Sequence, residues 1–297
     1  MPTFKITLAY DGTDYVGWQR QANGVSIQSL IEDALRVLDG REVRVTGAGR
    51  TDAGVHALGQ VAAFTIERTL SSGALLRALN AQLPGAIRVL AADEAAPTFH
   101  PRFGARTKTY RYRIWNGDVI SPFERRYAWH VTGALDLDAM RDAARLVEGR
   151  HDFAAFQASG GSAATSEREV FVSRIAECGL RIICGWRMAD GGVLPIGGCD
   201  TPPQSVVGNP QSAILNPSAV RNPQSAILLS YEISGSGFLR HMVRNIVGSL
   251  VEVGRGRRPA GWIGDLLASR NRTAAGPTAP AVGLFLVSVE YGGALAA

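Results

Sequence analysis

Ten consecutive residues, Gly47-Ala48-Gly49-Arg50-Thr51-Asp52-Ala53-Gly54-Val55-His56, put an arginine, an aspartate and a histidine among three glycines. Glycine at that density lets a backbone turn sharply and approach a ligand closely. A carboxylate so placed can act as a nucleophile or base without any cofactor, and Arg50 supplies a counter-charge two residues away. The competing reading is a glycine-rich hairpin carrying a solvated Asp–Arg pair, and the stretch taken alone favours it. Other templates fail. Asp52 stands where a dinucleotide fingerprint needs its third glycine, no Gly-Lys-Ser/Thr follows, and no Gly-x-Ser-x-Gly elbow is present. Asp52 and His56 lie four apart, as two metal ligands on a helix would. Gly54 between them argues for a loop, and no further ligand cluster exists, so no metal is expected.

The elements that must position this stretch follow from periodicity. Strand patterns cover Phe4–Tyr10, Glu42–Thr46, Gln60–Ile66 and Ile87–Ala91. Between them, Ser26 caps a helix with apolar residues Ile27, Leu30, Ile31, Ala34, Leu35 and Leu38, and Ser72 caps a second helix stopped by Pro84. The order is β-α-β-β-α-β, a ferredoxin-like unit. After the connector Pro97–Phe103 the pattern restarts. Strands are expected at Lys108–Trp115, Tyr127–Val131, Glu169–Ile175, Leu228–Ser234 and Leu284–Tyr291. Helices are expected from Asp136, over Arg240–Val253, and after Pro259. The fold class is therefore α+β: two ferredoxin-like units, residues 1–104 with the aspartate and 105–297, able to join edge to edge in one continuous, mostly antiparallel sheet with a cleft between them.

One segment breaks the pattern. A hairpin loop of two to five residues is usual, yet about fifty separate Ile175 from Leu228. Asn209-Pro-Gln-Ser-Ala-Ile-Leu215 recurs as Asn222-Pro-Gln-Ser-Ala-Ile-Leu228, and six of the chain's 14 prolines fall between Pro195 and Pro223. Proline at that density prevents a helix or a central strand, so residues 187–227 read as a low-complexity insertion without a catalytic part.

The chain's net charge of +5 suits a polyanionic partner without specifying one. No run of about 18 apolar residues occurs, so no membrane span is expected. Three cysteines without CxxC spacing fit free thiols in the cytoplasm. Two further residues have open roles at this point. Tyr110 alternates with Tyr112 and Ile114, which favours a core strand position over a platform for a flipped base. Arg244 shares the polar side of the 240–253 helix with Arg240 and Gly248, where a solvated or capping arginine is the ordinary case.

Longer strings bring these residues together. Tyr10-Asp11-Gly12-x-x-Tyr15-x-Gly17-Trp18-Gln19-x-Gln21, Gly49-Arg50-Thr51-Asp52-Ala53-Gly54-Val55-His56, Leu79-Asn80-x-x-Leu83-Pro84, Tyr110-Arg111-Tyr112, His151-Asp152-Phe153-x-x-Phe156 and Gly237-Phe238-Leu239-Arg240-His241-Met242-Val243-Arg244-Asn245 occur in this order. Together they resemble the motifs of the TruA family of tRNA pseudouridine synthases over nearly the whole chain outside the insertion. The resemblance implies the pseudouridine synthase fold. It implies isomerisation of uridine to pseudouridine at positions 38, 39 and 40 of the tRNA anticodon stem-loop, without cofactor or metal, by a cytoplasmic homodimer. It further implies Asp52 as the catalytic carboxylate, Arg50 as its partner and base-flipping aid, Tyr110 as the ring stacked on the uracil, Arg244 as the arginine paired with the carboxylate, and Leu284 as an apolar contact to the base. A base must leave its stack to be reached. Arg102, Arg106, Lys108, Arg111, Arg240 and Arg255 to Arg258 are the expected phosphate contacts. The chain departs from the family in its insertion and in the weakly basic stretch after Phe156, where Arg168 stands in. His56 is expected to be structural.

Overall fold

Apolar residues alternate along Thr3–Tyr10 and Ala105–Asn116, and that alternation gives the sheet its buried face. The computed structural model describes residues 1–160, 163–183 and 225–292. In chain order its elements are β1 (Thr3–Tyr10), α1 (Ile27–Asp39), β2 (Thr46–Gly47), β3 (His56–Thr65), α2 (Ser72–Gln82), β4 (Ile87–Ala95), β5 (Ala105–Asn116), β6 (Trp129–Val131), α3 (Leu137–Arg145), β7 (Gly149–Asp152), β8 (Glu167–Ile183), β9 (Ser225–Gly235), α4 (Met242–Gly254), α5 (Trp262–Ser269) and β10 (Leu284–Tyr291). All ten strands form one sheet in the order β4-β1-β3-β10-β5-β9-β8-β7, with β2 on β3 and β6 on β5. The first four strands have the ferredoxin-like order 4-1-3-2, and β10-β5-β9-β8 repeats it, with β7 added at the edge. Among the described residues only β3–β10 and β5–β6 are parallel. The expected fold class, two such units in a continuous, mostly antiparallel sheet, is the one observed.

One face of the sheet is apolar: Phe4, Ile6 and Leu8 from β1, Tyr112 and Ile114 from β5, Tyr231 and Ile233 from β9. It packs with Ile31 and Leu35 of α1, Met140 of α3 and Ile246 and Leu250 of α4 in a single buried cluster. Each such side chain removed from water contributes about 1.5–3 kcal/mol. The other face carries Lys5, Arg111 and Arg113, which pair with Asp93, Glu232 and Glu124.

The join between the two halves creates the site. The outer edge of β3 is shared: β2 pairs with it at Ala62 and Ala63, and β10 pairs with it at His56 and Ala57. The glycine-rich stretch lies where one partner strand gives way to the other. The strand expected over Glu42–Thr46 shortens to Thr46–Gly47 for a local reason. Side chains of α1 take the backbone groups of Val45, whose carbonyl accepts from Gln28 Nε2 (2.9 Å) and whose amide donates to Glu32 Oε1 (3.2 Å).

Several boundaries move. Ser71 rather than Ser72 caps α2, its hydroxyl accepting from the Ala74 amide at 3.3 Å. β8 extends to Ile183, and β9 begins at Ser225, so residues 225–227 belong to a strand and not to the insertion. The rest of the insertion expected at 187–227 lies outside the described residues. The helix expected from Arg240 begins at Met242, because His241 is left-handed (φ 59°).

Candidate active site

The Tyr10–Gln21 string works as a cradle for the glycine-rich loop. Trp18 donates its amide to the Thr51 carbonyl (3.0 Å), and Tyr10 and Thr51 share a hydroxyl–hydroxyl bond of 2.8 Å. From β3, Gln60 Nε2 donates to the Gly49 carbonyl (2.9 Å). Gly17 sits at φ 102°, and a Cβ there would lie 2.5 Å from the Thr51 carbonyl oxygen. Only glycine combines that conformation with so close an approach. Nearly every contact grips the backbone of residues 48–54 and leaves the Asp52 side chain, 31% exposed, to the cleft.

The partner of Asp52 comes from 192 residues further along the chain. Arg244 Nη1 lies 3.3 Å from Asp52 Oδ2, and Arg244 Nε donates to the Ala279 carbonyl (2.7 Å). A guanidinium fixed at both edges has one position rather than many. Its helix is seated by Gly248 and Asn245. A Cβ on Gly248 would stand 1.7 Å from the Pro277 carbonyl oxygen. Asn245 is fully buried, donating to the Phe156 carbonyl (2.7 Å) and accepting from Arg272 and Thr278 (3.0 and 2.6 Å). The His151–Phe156 string therefore holds α4, and α4 holds the arginine. His241 also reaches the carboxylate, with Nε2 3.3 Å from Asp52 Oδ2.

The cleft around these groups encloses about 1020 Å³ and is lined by the 45–53 stretch, Phe103, Lys108, Tyr110, the 238–244 segment and Leu284. Arg44, Arg50, Arg102, Lys108, Arg168 and Arg240 make it basic. Lys108 Nζ donates to the Ala48 carbonyl (2.7 Å). Burial, reinforced by the charges of Arg102 and Arg168, pushes its pKa down to about 8. The folded value is depressed below the unfolded 10.5, so the unfolded chain holds a proton that the folded one lacks between those values. The Lys108 contribution to stability therefore rises as pH climbs through that window. Affinity for a polyanion moves oppositely, falling as pH passes about 8. In titrations of tRNA binding between pH 7 and 9, Lys108→Arg is expected to flatten this decline. An unchanged pH dependence in the variant would show that another group is responsible.

The structure places the other candidates as follows. Tyr110 is 8% exposed, its ring edge-on to Phe238 (centroids 5.1 Å apart) and its hydroxyl beside Gly49. It belongs largely to the core, as the strand alternation favours, and it also lines the cleft. Burial raises the Tyr110 hydroxyl pKa above its ordinary value, keeping the phenol neutral. Leu284, the first residue of β10, is buried at the cleft wall opposite Tyr112 in the ladder. Arg240 is exposed and donates to the Ser159 carbonyl (2.9 Å). Arg50 lines the cleft but is exposed and makes no ion pair with Asp52; of the two arginines expected beside the carboxylate only Arg244 is there, joined by His241, which was not expected. A side chain two residues from Asp52 on a turning loop points elsewhere. Arg111 does not line the cleft. Strand alternation puts it on the opposite sheet face from Tyr110, paired with Glu232 at 3.2 Å. Arg106 and Arg255 to Arg258 also lie off the lining; Arg255 and Arg257 pair with Glu252, and Arg258 covers the Trp262 ring.

His56 is buried and does not converge with Asp52. The Gly12 amide donates to its Nδ1 (3.2 Å), and Nε2 faces the Arg126 and Val282 carbonyls (3.1 and 3.2 Å). Desolvation, opposed by Asp11, lowers its pKa. The ring thus ties the glycine-rich loop to the second half, as its expected structural role requires. Sequence reasoning missed His241 and Arg44. His241 stands inside a quoted motif, but only the long-range fold brings it to Asp52.

Such a basic cleft suits a protein that works on a nucleic acid. The family model described as tRNA pseudouridine synthase matches residues 6–104 and 143–292. The chain is similar to the tRNA pseudouridine synthase A of Myxococcus xanthus, 43% identical over 98% of this chain and 92% of the relative. Those of Geobacter sulfurreducens and Pelobacter propionicus are 42% and 41% identical over 98% of this chain and all of their own length. The chain therefore belongs to the tRNA pseudouridine synthase family, the isomerases that turn uridine into pseudouridine. Among the described residues no helix is long and apolar enough to cross a membrane.

Proposed function

We propose that this chain converts uridine to pseudouridine at positions 38, 39 and 40 of the tRNA anticodon stem-loop, acting as a cytoplasmic homodimer with Asp52 as the catalytic carboxylate. The observation carrying this reading is Asp52, held by Arg244 and exposed in a basic cleft large enough for a nucleotide and its flanking backbone. The reaction breaks the N1–C1′ glycosidic bond, turns the uracil and forms C5–C1′. A proton leaves C5 and one is gained at N1, so composition is unchanged and no co-reactant is consumed. Asp52 would supply the nucleophile or base, Arg244 its counter-charge, and Tyr110 and Leu284 the apolar walls for the extruded ring. Arg50 is suited by its exposure to hold the strand from which the base has left.

The two-unit division at residues 104 and 105 belongs to this reading: the segment between β4 and β5 carries Arg102 and Phe103 to the cleft. Backbone phosphates are the natural partners of Arg102, Lys108, Arg168 and Arg240, which makes binding salt-dependent. The test is to incubate tRNA with the protein in the presence of a chelator and map pseudouridine. Modification at positions 38–40 is expected; none there, with modification elsewhere, would overturn the site assignment. Light scattering on the purified chain tests the dimer.

Stacking of a base on an aromatic ring is worth about 1–3 kcal/mol. Tyr110→Phe, which keeps the ring, is expected to stay within about threefold of wild type. Tyr110→Ala is expected to lose about 10- to 100-fold in kcat/KM. Equal activity of the two variants in steady-state assays would remove the stacking role.

A further inference from the structure

We propose that His241 is a positioning residue for the reaction, fixing Asp52 together with Arg244 so that Oδ1 is the carboxylate oxygen presented to the nucleotide. The inference rests on the catalytic assignment of Asp52 above. Arg244 Nη1 and His241 Nε2 both lie 3.3 Å from the same oxygen, Oδ2. Among the described residues the side-chain hydrogen bond to Asp52 falls on Oδ2. Arg244 donates a hydrogen bond to that oxygen and the His241 ring nitrogen stands at the same distance from it, so the carboxylate is confined on its Oδ2 side.

The backbone at His241 says that the ring is there for a reason other than the helix. His241 occupies the N-cap of α4, where Ser, Thr, Asp, Asn or Gly is preferred for capping. Its side chain caps nothing. Its φ of 59° is one of two positive values among the described non-glycine residues, a conformation that disfavours a Cβ. Such local strain is retained where surrounding structure enforces it, often at functional sites. The enforcement is visible: the Met242 amide donates to the Leu239 carbonyl (3.1 Å), Ala158 donates to the Arg240 carbonyl (3.0 Å), and Asn245 donates to the His241 carbonyl (2.9 Å). The left-handed turn aims the imidazole back over the cleft.

The electrostatics suit a neutral donor. Burial lowers the His241 pKa, and Arg244 and Arg240 beside it and Arg272 from the following segment push the same way, against the opposing pull of Asp52. A neutral imidazole beside Oδ2 would position the carboxylate without adding a second full cation, which would weaken Asp52 as a base or nucleophile.

The test compares His241→Gly, His241→Gln and wild type in steady-state assays on tRNA, with melting curves alongside. Glycine suits the left-handed backbone but carries no donor. Glutamine places an amide N–H near the position of Nε2. His241→Gly is expected to melt no lower than wild type, to lose about 10- to 100-fold in kcat, and to keep KM within about threefold. His241→Gln is expected to recover most of the loss. A His241→Gly enzyme with wild-type kcat would overturn the proposal, as would a Gln variant no better than the Gly variant, or a loss confined to KM. Asp52→Asn assayed in parallel separates the two readings. An active Asp52→Asn enzyme undermines the catalytic assignment itself, whereas an inactive one beside a fully active His241→Gly enzyme defeats only the role given to His241.

Discussion

Replacing Asp52 by asparagine is expected to slow pseudouridine formation on the order of 10⁴-fold while leaving tRNA affinity within about threefold. The amide has nearly the shape of the carboxylate but cannot serve as base or nucleophile. The surroundings predict that the fold survives. The Asp52 side chain is partly exposed, and the loop is held through its backbone by Trp18, Gln60 and Lys108. Arg244 keeps its bond to the Ala279 carbonyl without the carboxylate. Single-turnover assays with excess enzyme, combined with filter binding, separate chemistry from affinity. Modification by the variant at the wild-type rate would remove Asp52 from the chemistry altogether.

The second large effect is expected at a residue that touches no substrate. Gly248→Ala would set a methyl group 1.7 Å from the Pro277 carbonyl oxygen, a position that only movement of α4 or of the 277–279 segment can relieve. Overpacking of this kind costs about 3 kcal/mol, which for a protein of this size lowers Tm by roughly 5 °C. Activity should fall further than stability alone requires. Gly248 and Arg244 lie four residues apart on one helix face, and the same segment supplies the Ala279 carbonyl that orients the guanidinium. Pushing α4 outward therefore pulls Arg244 from Asp52. Gly264→Ala is the matched control: it lies in α5 with nothing within 4 Å of a new Cβ. That change should stabilise by about 0.4–1 kcal/mol. Melting curves with both proteins decide the point, and equal Tm values would show that the close approach at Gly248 is unimportant.

Legibility in the sequence followed the range of the interactions involved. Ser26 as the cap of α1, Asp136 as the cap of α3 and the bounds of β10 were readable because caps and period-two alternation act over a few residues. The ferredoxin-like order of both halves was readable for the same reason. The short β2 was not, because a buried Gln28 and Glu32 from another element took the place of a neighbouring strand. Arg50 beside Asp52 was a plausible pair by distance along the chain, but a turning loop separates neighbours in sequence. Arg111 was assigned by its motif, whereas the pleat of β5 fixes which face it occupies.

By itself the sequence determined the class of fold, the family and the carboxylate at its centre. These reside in local periodicity and in contiguous strings such as the Gly49–His56 stretch. Only the tertiary structure showed that Arg244, and not Arg50, pairs with that carboxylate, and that His241 stands beside it. The edge of β3 passes from β2 to β10, the two halves meet there, and α4 arrives from 192 residues away carrying Arg244 and His241 to Asp52. That meeting depends on backbone packed against backbone at Gly17 and Gly248, contacts between segments whose separation along the chain hides them from any local pattern.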